Sequence, residues 1–197
     1  MPKRVLDVSL TLLIAPVAAA ITLAFAAILA IDLRGNPFYV QERIGMRGRP
    51  FRMFKLRTMY HPGPGEGDRY VVDDFKTFIF HPPGREHPRL SRWGARARKL
   101  SIDELPNLVN VFLGDMSLVG PRPEIPEIVR QYPGHYHRRH DVLPGITGLA
   151  QACGRSDLTY DETLTYDLQY VDNHSVLADL HILWRTAAVV LSGSGAR

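Results

Sequence analysis

The longest pattern in the chain is apolar. Val8 to Ile31 is 24 residues without a charge. As a helix it covers roughly 36 Å, at about 1.5 Å per residue, enough to cross a hydrocarbon core of about 30 Å. Its length, and the lack of a small-x-small site before a polar start, argue against a cleaved signal peptide. Pro16 lies inside the run, where it removes a backbone hydrogen bond and bends a helix. Both flanks are basic: Lys3 and Arg4 precede the run, and a block from Arg34 to Arg57 follows it. Basic residues favour the cytoplasmic side. A bent helix that enters and leaves by one face satisfies both flanks, whereas a spanning helix satisfies one. The residues alone favour the re-entrant form and leave the spanning form open. Asp7 and Asp32 bracket the run at headgroup depth, with Lys3 and Arg4 within a helical turn of Asp7.

Beyond Asp32 the pattern changes. Arg34-Gly35-Asn36-Pro37 is a turn signal. Phe38–Gln41 predicts a short strand, Ile44–Pro50 a hairpin turn, and Phe51–Met59 a second strand from its alternation of apolar and basic residues. That alternation sets Phe51, Met53, Lys55 and Arg57 on one face, and Arg52, Phe54, Leu56 and Thr58 on the other. His61–Pro88 is rich in Gly and Pro and reads as a loop with a short helix around Asp73–Phe80. Its Gly63, Gly65 and Gly67 lack the spacing and context of a phosphate loop. Helical patterns follow at Arg89–Lys99, Glu104–Leu113, Ile125–Tyr132, Thr159–Tyr170 and Leu177–Leu191. Val119–Glu124 reads as rigid irregular chain, because prolines fix φ and restrict their predecessors. Leu143–Gln151 reads as turn-rich. The expected fold class is α/β, mainly α with a small β-hairpin.

Composition narrows the class. Of 197 residues, 45% are hydrophobic and 22% charged, which excludes a disordered chain. One cysteine, Cys153, excludes a disulfide-rich secreted module. The net charge of +4 is unevenly placed: seven basic residues face Glu42 alone between Arg34 and Arg57, and six face Glu86 alone between Arg85 and Lys99. Six acids and no Lys or Arg lie between Asp157 and Asp179. Two basic blocks point to an anionic partner: nucleic acid, lipid headgroup or a phosphorylated small molecule.

Few residues could carry chemistry. Asp103 and Glu104 are adjacent carboxylates just after Arg96, Arg98 and Lys99, a setting for a nucleophile, base or metal ligand. Ser101-Ile-Asp-Glu104 also reads as a helix capping box, although Pro106 suits a later helix start. Pro121-Arg122-Pro123 places one guanidinium on a stiff loop, where it can take a phosphate or a planar ring, or be a surface arginine on a structural turn. His135, His137 and His140 do not fall on one face of any single element, which weighs against a metal cluster. Cys153 reads as a small packed residue.

Taken together, these stretches resemble the small monotopic phosphoglycosyl transferases, bacterial sugar transferases that start membrane-linked glycan assembly. The resemblance runs almost end to end: Lys3-Arg4-x-x-Asp7, the proline-broken apolar hairpin, Gln41–Gly45, Phe54–Met59, Leu100–Asn107, Asn110–Pro123 and Pro144–Gln151. It departs in Ala15, where the family often has Ser before the proline, in a longer His61–Pro88 loop, and in Ala97. It implies a re-entrant helix-break-helix hairpin over 1–34, interfacial amphipathic helices, and a catalytic domain over 35–197 on the cytoplasmic face of the bacterial inner membrane. It implies transfer of a sugar-1-phosphate from a UDP-sugar to a polyprenyl (undecaprenyl) phosphate, giving UMP and a polyprenyl diphosphate sugar, as the first membrane step of glycoconjugate or exopolysaccharide synthesis. Asp103 would be the nucleophile of a covalent phosphosugar-aspartyl intermediate and a ligand of Mg²⁺, with Glu104 assisting. Lys55 and Arg98 would hold phosphate, Arg122 between Pro121 and Pro123 would face the nucleotide, and Asp179 would be a further substrate contact. Membrane lipids are implied partners and nucleic acid is not; sugar and oligomeric state stay open. A four-helix extension found in larger relatives is expected to be absent, since the chain begins at the hairpin.

Two other readings compete. A membrane-anchored basic adaptor gives no special place to Asp103 or Glu104 and binds with a steep salt dependence. Direct transfer in a ternary complex forms no phosphosugar on the protein.

Overall fold

A computed structural model describes residues 2–63, 72, 74–79, 87–154 and 158–192. The apolar run forms helix α1 (Pro2–Asp32), which passes through Pro16 without ending. Two half-helices were expected. Pro16 removes one N–H from the ladder, and the 31-residue helix continues on both sides of it. By length and composition α1 is long and apolar enough to cross a membrane.

One stripe of α1, Asp7, Thr11, Ala18, Ala26 and Leu29, is buried. Val5, Leu12, Leu13, Val17, Leu23 and Ile31 are exposed. The N-terminal end is held by polar contacts: Arg4 donates to the carbonyls of Val111 and Phe112 at 2.5 and 2.8 Å, and Asp7 accepts from Ser117 Oγ and Leu118 N at 2.8 and 3.1 Å. The C-terminal end is held mainly by packing of Ala26, Leu29 and Leu33 on Leu56, Trp93 and Ile102. Both ends of α1 therefore meet the same body.

The expected hairpin is present as antiparallel strands β1 (Phe38–Ile44) and β2 (Pro50–Leu56), with Phe38 opposite Leu56 and Ile44 opposite Pro50. Met53 and Leu56 point to opposite faces, yet both are buried, since β2 is covered on two sides. Met53 packs with Leu108 and Val111 of helix α3 (Asn107–Leu113), and Leu56 with α1. The edge of β2 away from β1 is closed by a side chain: Asn110 Nδ2 donates to Arg52 O at 2.7 Å, and Phe54 N donates to Asn110 Oδ1 at 3.1 Å. A buried amide thus takes the place of a third strand.

A second, parallel pair joins β3 (Ser117–Val119) to β4 (Gly145–Thr147). Neither was expected: β4 lies in the stretch read as turn-rich and β3 ends at Val119, where the irregular stretch was read to begin, because three-residue strands are too short to show a period. The pairing continues through Gly120 N to Thr147 O and Gly145 N to Pro121 O, each 2.9 Å. A Cβ on Gly120 would lie 2.3 Å from Leu143 O, so glycine alone permits this approach.

The remaining helices are α2 (Arg92–Lys99), α4 (Pro126–Val129), α5 (Leu149–Cys153), α6 (Tyr160–Asn173) and α7 (Val176–Ser192), with a 3₁₀ segment at Gly134–Asp141. α5 falls in a stretch read as turns. Thr159 and Glu162 form a reciprocal capping box at the start of α6. The helix expected around Asp73–Phe80 falls partly outside the described residues, and Phe75–Thr77 is a turn. Gly65 and Gly67 lie outside them as well. The chain is mainly helical with two small sheets.

Candidate active site

The site is assembled at the end of β2. Ser91 caps α2 through Gly94 N and donates its own N–H to Thr58 O at 3.1 Å. A Cβ on Gly94 would lie 2.0 Å from Thr58 O, so α2 can start this close to the strand end only with glycine there. One turn on, Arg98 Nε reaches Thr58 Oγ1 at 2.9 Å and Nη2 reaches Met59 Sδ at 3.0 Å.

The chain then turns sharply. Ser101 has φ 54°, a left-handed conformation unusual for a residue with a Cβ. Ile102–Glu104 is a 3₁₀ turn, and α3 begins only after Pro106. The capping box read at Ser101–Glu104 is not formed, since the Ser101 side chain caps nothing. Glu104 Oε1 instead accepts from Arg122 Nη2 at 2.5 Å and Lys55 Nζ at 3.3 Å. Local capping loses here to two cations that come from distant parts of the chain.

The neighbouring carboxylates differ in state. For Glu104, burial works against the charge, but Arg122 and Lys55 outweigh it and hold the carboxyl well below the usual range. Burial, reinforced by the Glu104 charge, raises Asp103 above its ordinary value, against the opposing pull of Lys55, Arg98 and Arg122. Burial lowers Lys55 to about 8 although Glu104 supports its charge. Among the described residues the Asp103 carboxylate takes part in no hydrogen bond or ion pair. Glu104 is committed to Arg122 and Lys55, whereas the Asp103 carboxylate meets no such partner among the described residues. Lys55, Arg98, Asp103, Glu104 and Arg122 form one electrostatic neighbourhood.

Pro121 and Pro123 hold the loop that carries Arg122. Pro121 O accepts from Gly145 N, and Pro123 O accepts from Arg43 Nη1 at 3.1 Å. Arg122 O accepts from Arg139 Nη2 at 2.7 Å. Asp179 keeps different company: it is buried, with Lys3 Nζ at 2.5 Å and Tyr170 Oη at 2.7 Å. His135 and His137 are exposed, while His140 is buried, stacks on Tyr132, and is lowered to about 4 by burial. Among the described residues no group of three or more His, Cys, Asp or Glu gathers. Mg²⁺ needs none, because it keeps several waters and takes one or two carboxylates with substrate phosphates. The uncommitted Asp103 fits that demand.

Sequence reasoning did not single out Asn110, Arg43, Arg139 or Tyr170. All are polar and wholly or partly buried, and nothing local in a sequence marks such burial.

The description of bacterial sugar transferases matches residues 1–193. The chain belongs to the bacterial sugar transferase family. This transferase is 37% identical over 193 residues to an uncharacterized sugar transferase, EpsL, of Bacillus subtilis, covering 98% of this chain and 89% of that one. It is 34% identical over 203 residues to the exopolysaccharide production protein ExoY of Sinorhizobium fredii, covering 98% and 87%. It is 34% identical over 201 residues to a UDP-N-acetylgalactosamine-undecaprenyl-phosphate N-acetylgalactosaminephosphotransferase of Aeromonas hydrophila, covering 99% of this chain and 45% of that larger protein. The protein is an enzyme of the phosphoglycosyl transferase class.

Proposed function

We propose that the transferase moves a sugar-1-phosphate from a UDP-sugar to a polyprenyl phosphate through a covalent intermediate on Asp103. The observation that carries this is the division of labour between adjacent carboxylates: Glu104 is held by Arg122 and Lys55, and Asp103 beside them has no hydrogen-bond or ion-pair partner among the described residues. An Asp103 oxygen attacks the sugar-bearing phosphorus, and the bond from that phosphorus to the UMP oxygen breaks. UMP leaves. A phosphate oxygen of the lipid then attacks the same phosphorus, and the Asp103 carboxylate is restored. Two displacements let one site meet a water-soluble donor first and a lipid acceptor second.

Lys55 and Arg98 neutralise the transferring phosphate, while Arg122, 38% exposed at its side chain, takes the nucleotide phosphate. Glu104 orients Lys55 and Arg122. Mg²⁺ held by Asp103 and the donor phosphates would reduce the repulsion between an anionic nucleophile and an anionic phosphorus. Burial and the Glu104 charge raise the Asp103 carboxyl, and cationic charge arriving with the substrate would favour its ionised form.

The anchorage of both ends of α1 on one body supports a monotopic, re-entrant placement. Lys3 and Arg34 would then share the cytoplasmic side, and the exposed apolar flank of α1 would face lipid. A panel of UDP-sugars with undecaprenyl phosphate and Mg²⁺, scored by UMP release, tests the reaction. Release that needs both substrates at turnover, with one equivalent released by donor alone, is expected. No release from any UDP-sugar would overturn the reading.

A further inference from the structure

The last residue of β3, Val119, stands three positions before Arg122. Its carbonyl lies 3.0 Å from Lys3 Nζ and 3.0 Å from Tyr170 Oη. Both of these groups also meet the buried Asp179, at 2.5 and 2.7 Å. A tyrosine hydroxyl has one proton and an ammonium has three. Tyr170 can therefore satisfy either the Val119 carbonyl or Asp179, and Lys3 must supply the rest. Asp7, from the same end of α1, holds Ser117 Oγ and Leu118 N on the same strand. Beyond Val119 the chain has little slack. Gly120 N and Pro121 O are both bonded to the β4 segment, and Pro121 and Pro123 fix φ on either side of Arg122. A shift at Val119 is passed to Arg122 rather than absorbed.

We propose that Lys3, Tyr170 and Asp179 are positioning residues for Arg122: they clamp the Val119 carbonyl, so that seating of the N-terminal turn of α1 against the body sets the enzyme's affinity for its nucleotide-sugar donor. This rests on the reading of Arg122 as a donor contact. It also moves Asp179 from substrate contact to support, with its carboxylate already filled by Lys3 and Tyr170. The charges that read in the sequence as topology signals then have a second role inside the protein.

The test uses the full-length enzyme in membranes or detergent, with KM measured separately for UDP-sugar and for undecaprenyl phosphate. Lys3→Met leaves Asp179 buried with Tyr170 as its remaining partner, so its folding is checked by thermal melt and Lys3→Arg serves as the second variant. Loss of the Lys3 charge-assisted bonds should raise the donor KM about tenfold and leave the lipid KM within about twofold. Lys3→Arg, which keeps the charge and donors, should restore the donor KM. Tyr170→Phe should give a smaller rise of the same kind. Glu127→Gln on α4, which breaks an exposed ion pair with Arg130, should move neither KM, and thermal melts of each variant control for general instability. A Lys3→Met enzyme with unchanged donor KM, while Arg122→Ala raises it, would overturn the clamp. Equal rises in both KM values, without rescue by arginine, would also overturn it. A silent Arg122→Ala would instead overturn the donor reading on which the clamp rests.

Discussion

Glu104 and Asp167 each meet an arginine at 2.5 Å, and the two pairs have opposite surroundings. The Arg139–Asp167 pair is closed, with side chains 2% and 1% exposed. Arg139 uses its remaining donors on Tyr132 Oη at 2.6 Å and on Arg122 O at 2.7 Å. Burial pushes Asp167 up to about 6 against the pull of Arg139. The Arg122–Glu104 pair is open on its cationic side. Glu104 stays well below its usual range because Lys55 joins Arg122 against burial. A saturated pair can only hold backbone in place, as Arg139 does for the Arg122 carbonyl. An unsaturated pair beside an unpaired carboxylate leaves charge for an anionic substrate. The first pair supports the second.

Breaking the open site at its uncommitted carboxylate should have the largest effect. Asp103→Asn should lower kcat roughly 10⁴-fold or more, the scale expected for loss of a covalent nucleophile. Thermal unfolding should stay close to wild type, because the Asp103 side chain makes no hydrogen bond among the described residues. The closed pair should behave in reverse. Asp167→Asn leaves Arg139 buried without a counter-charge and should cost about 3–5 kcal/mol, lowering Tm by roughly 10 °C. Glu104→Gln should cost less stability, about 1–2 kcal/mol, because the half-exposed Arg122 can turn to water. Differential scanning calorimetry of the two variants checks this order, and equal losses would erase the distinction.

Arg122→Ala should lower kcat/KM for the UDP-sugar by about 10²-fold, as expected for a charge-assisted phosphate contact, and spare the lipid KM. Kinetics with each substrate varied will show it. The smallest effect concerns pH. Lys55, lowered to about 8 chiefly by burial, is cationic below that pH and neutral above it. Donor kcat/KM should therefore fall as pH rises through about 8, since the neutral amine no longer attracts phosphate. Lys55→Arg should move that limb well above the measured range, because a guanidinium keeps its charge. A limb unchanged in Lys55→Arg would assign the titration to another group.

The parts legible in the sequence are those with a period or a local signature. Val8–Ile31, the Phe38–Leu56 hairpin and the α6 helix follow from residue spacing, and the basic blocks pointed to an anionic substrate. Asp103, Glu104 and Arg122 stand out by residue chemistry, whereas Lys55, Arg98, Asp179 and the role of each rest on motif resemblance, and none follows from periodicity. Ser101–Glu104 shows why: four residues that spell a capping box turn through a left-handed Ser101 and send Glu104 to Lys55 and Arg122. Asp179 shows the converse, since its partner Lys3 lies 176 positions away and no local pattern links them. The β3–β4 pair escaped because three residues carry no periodic signal.

The central claim is that Asp103 carries the sugar phosphate. Incubating the enzyme with Mg²⁺ and a UDP-sugar labelled in the β-phosphate, without lipid, tests it most directly by intact-protein mass spectrometry and peptide mapping. The account predicts one phosphosugar adduct per chain on Asp103, discharged by undecaprenyl phosphate and absent in Asp103→Asn with Glu104 intact. An adduct that persists in Asp103→Asn, or steady turnover with no adduct at any time, would contradict it.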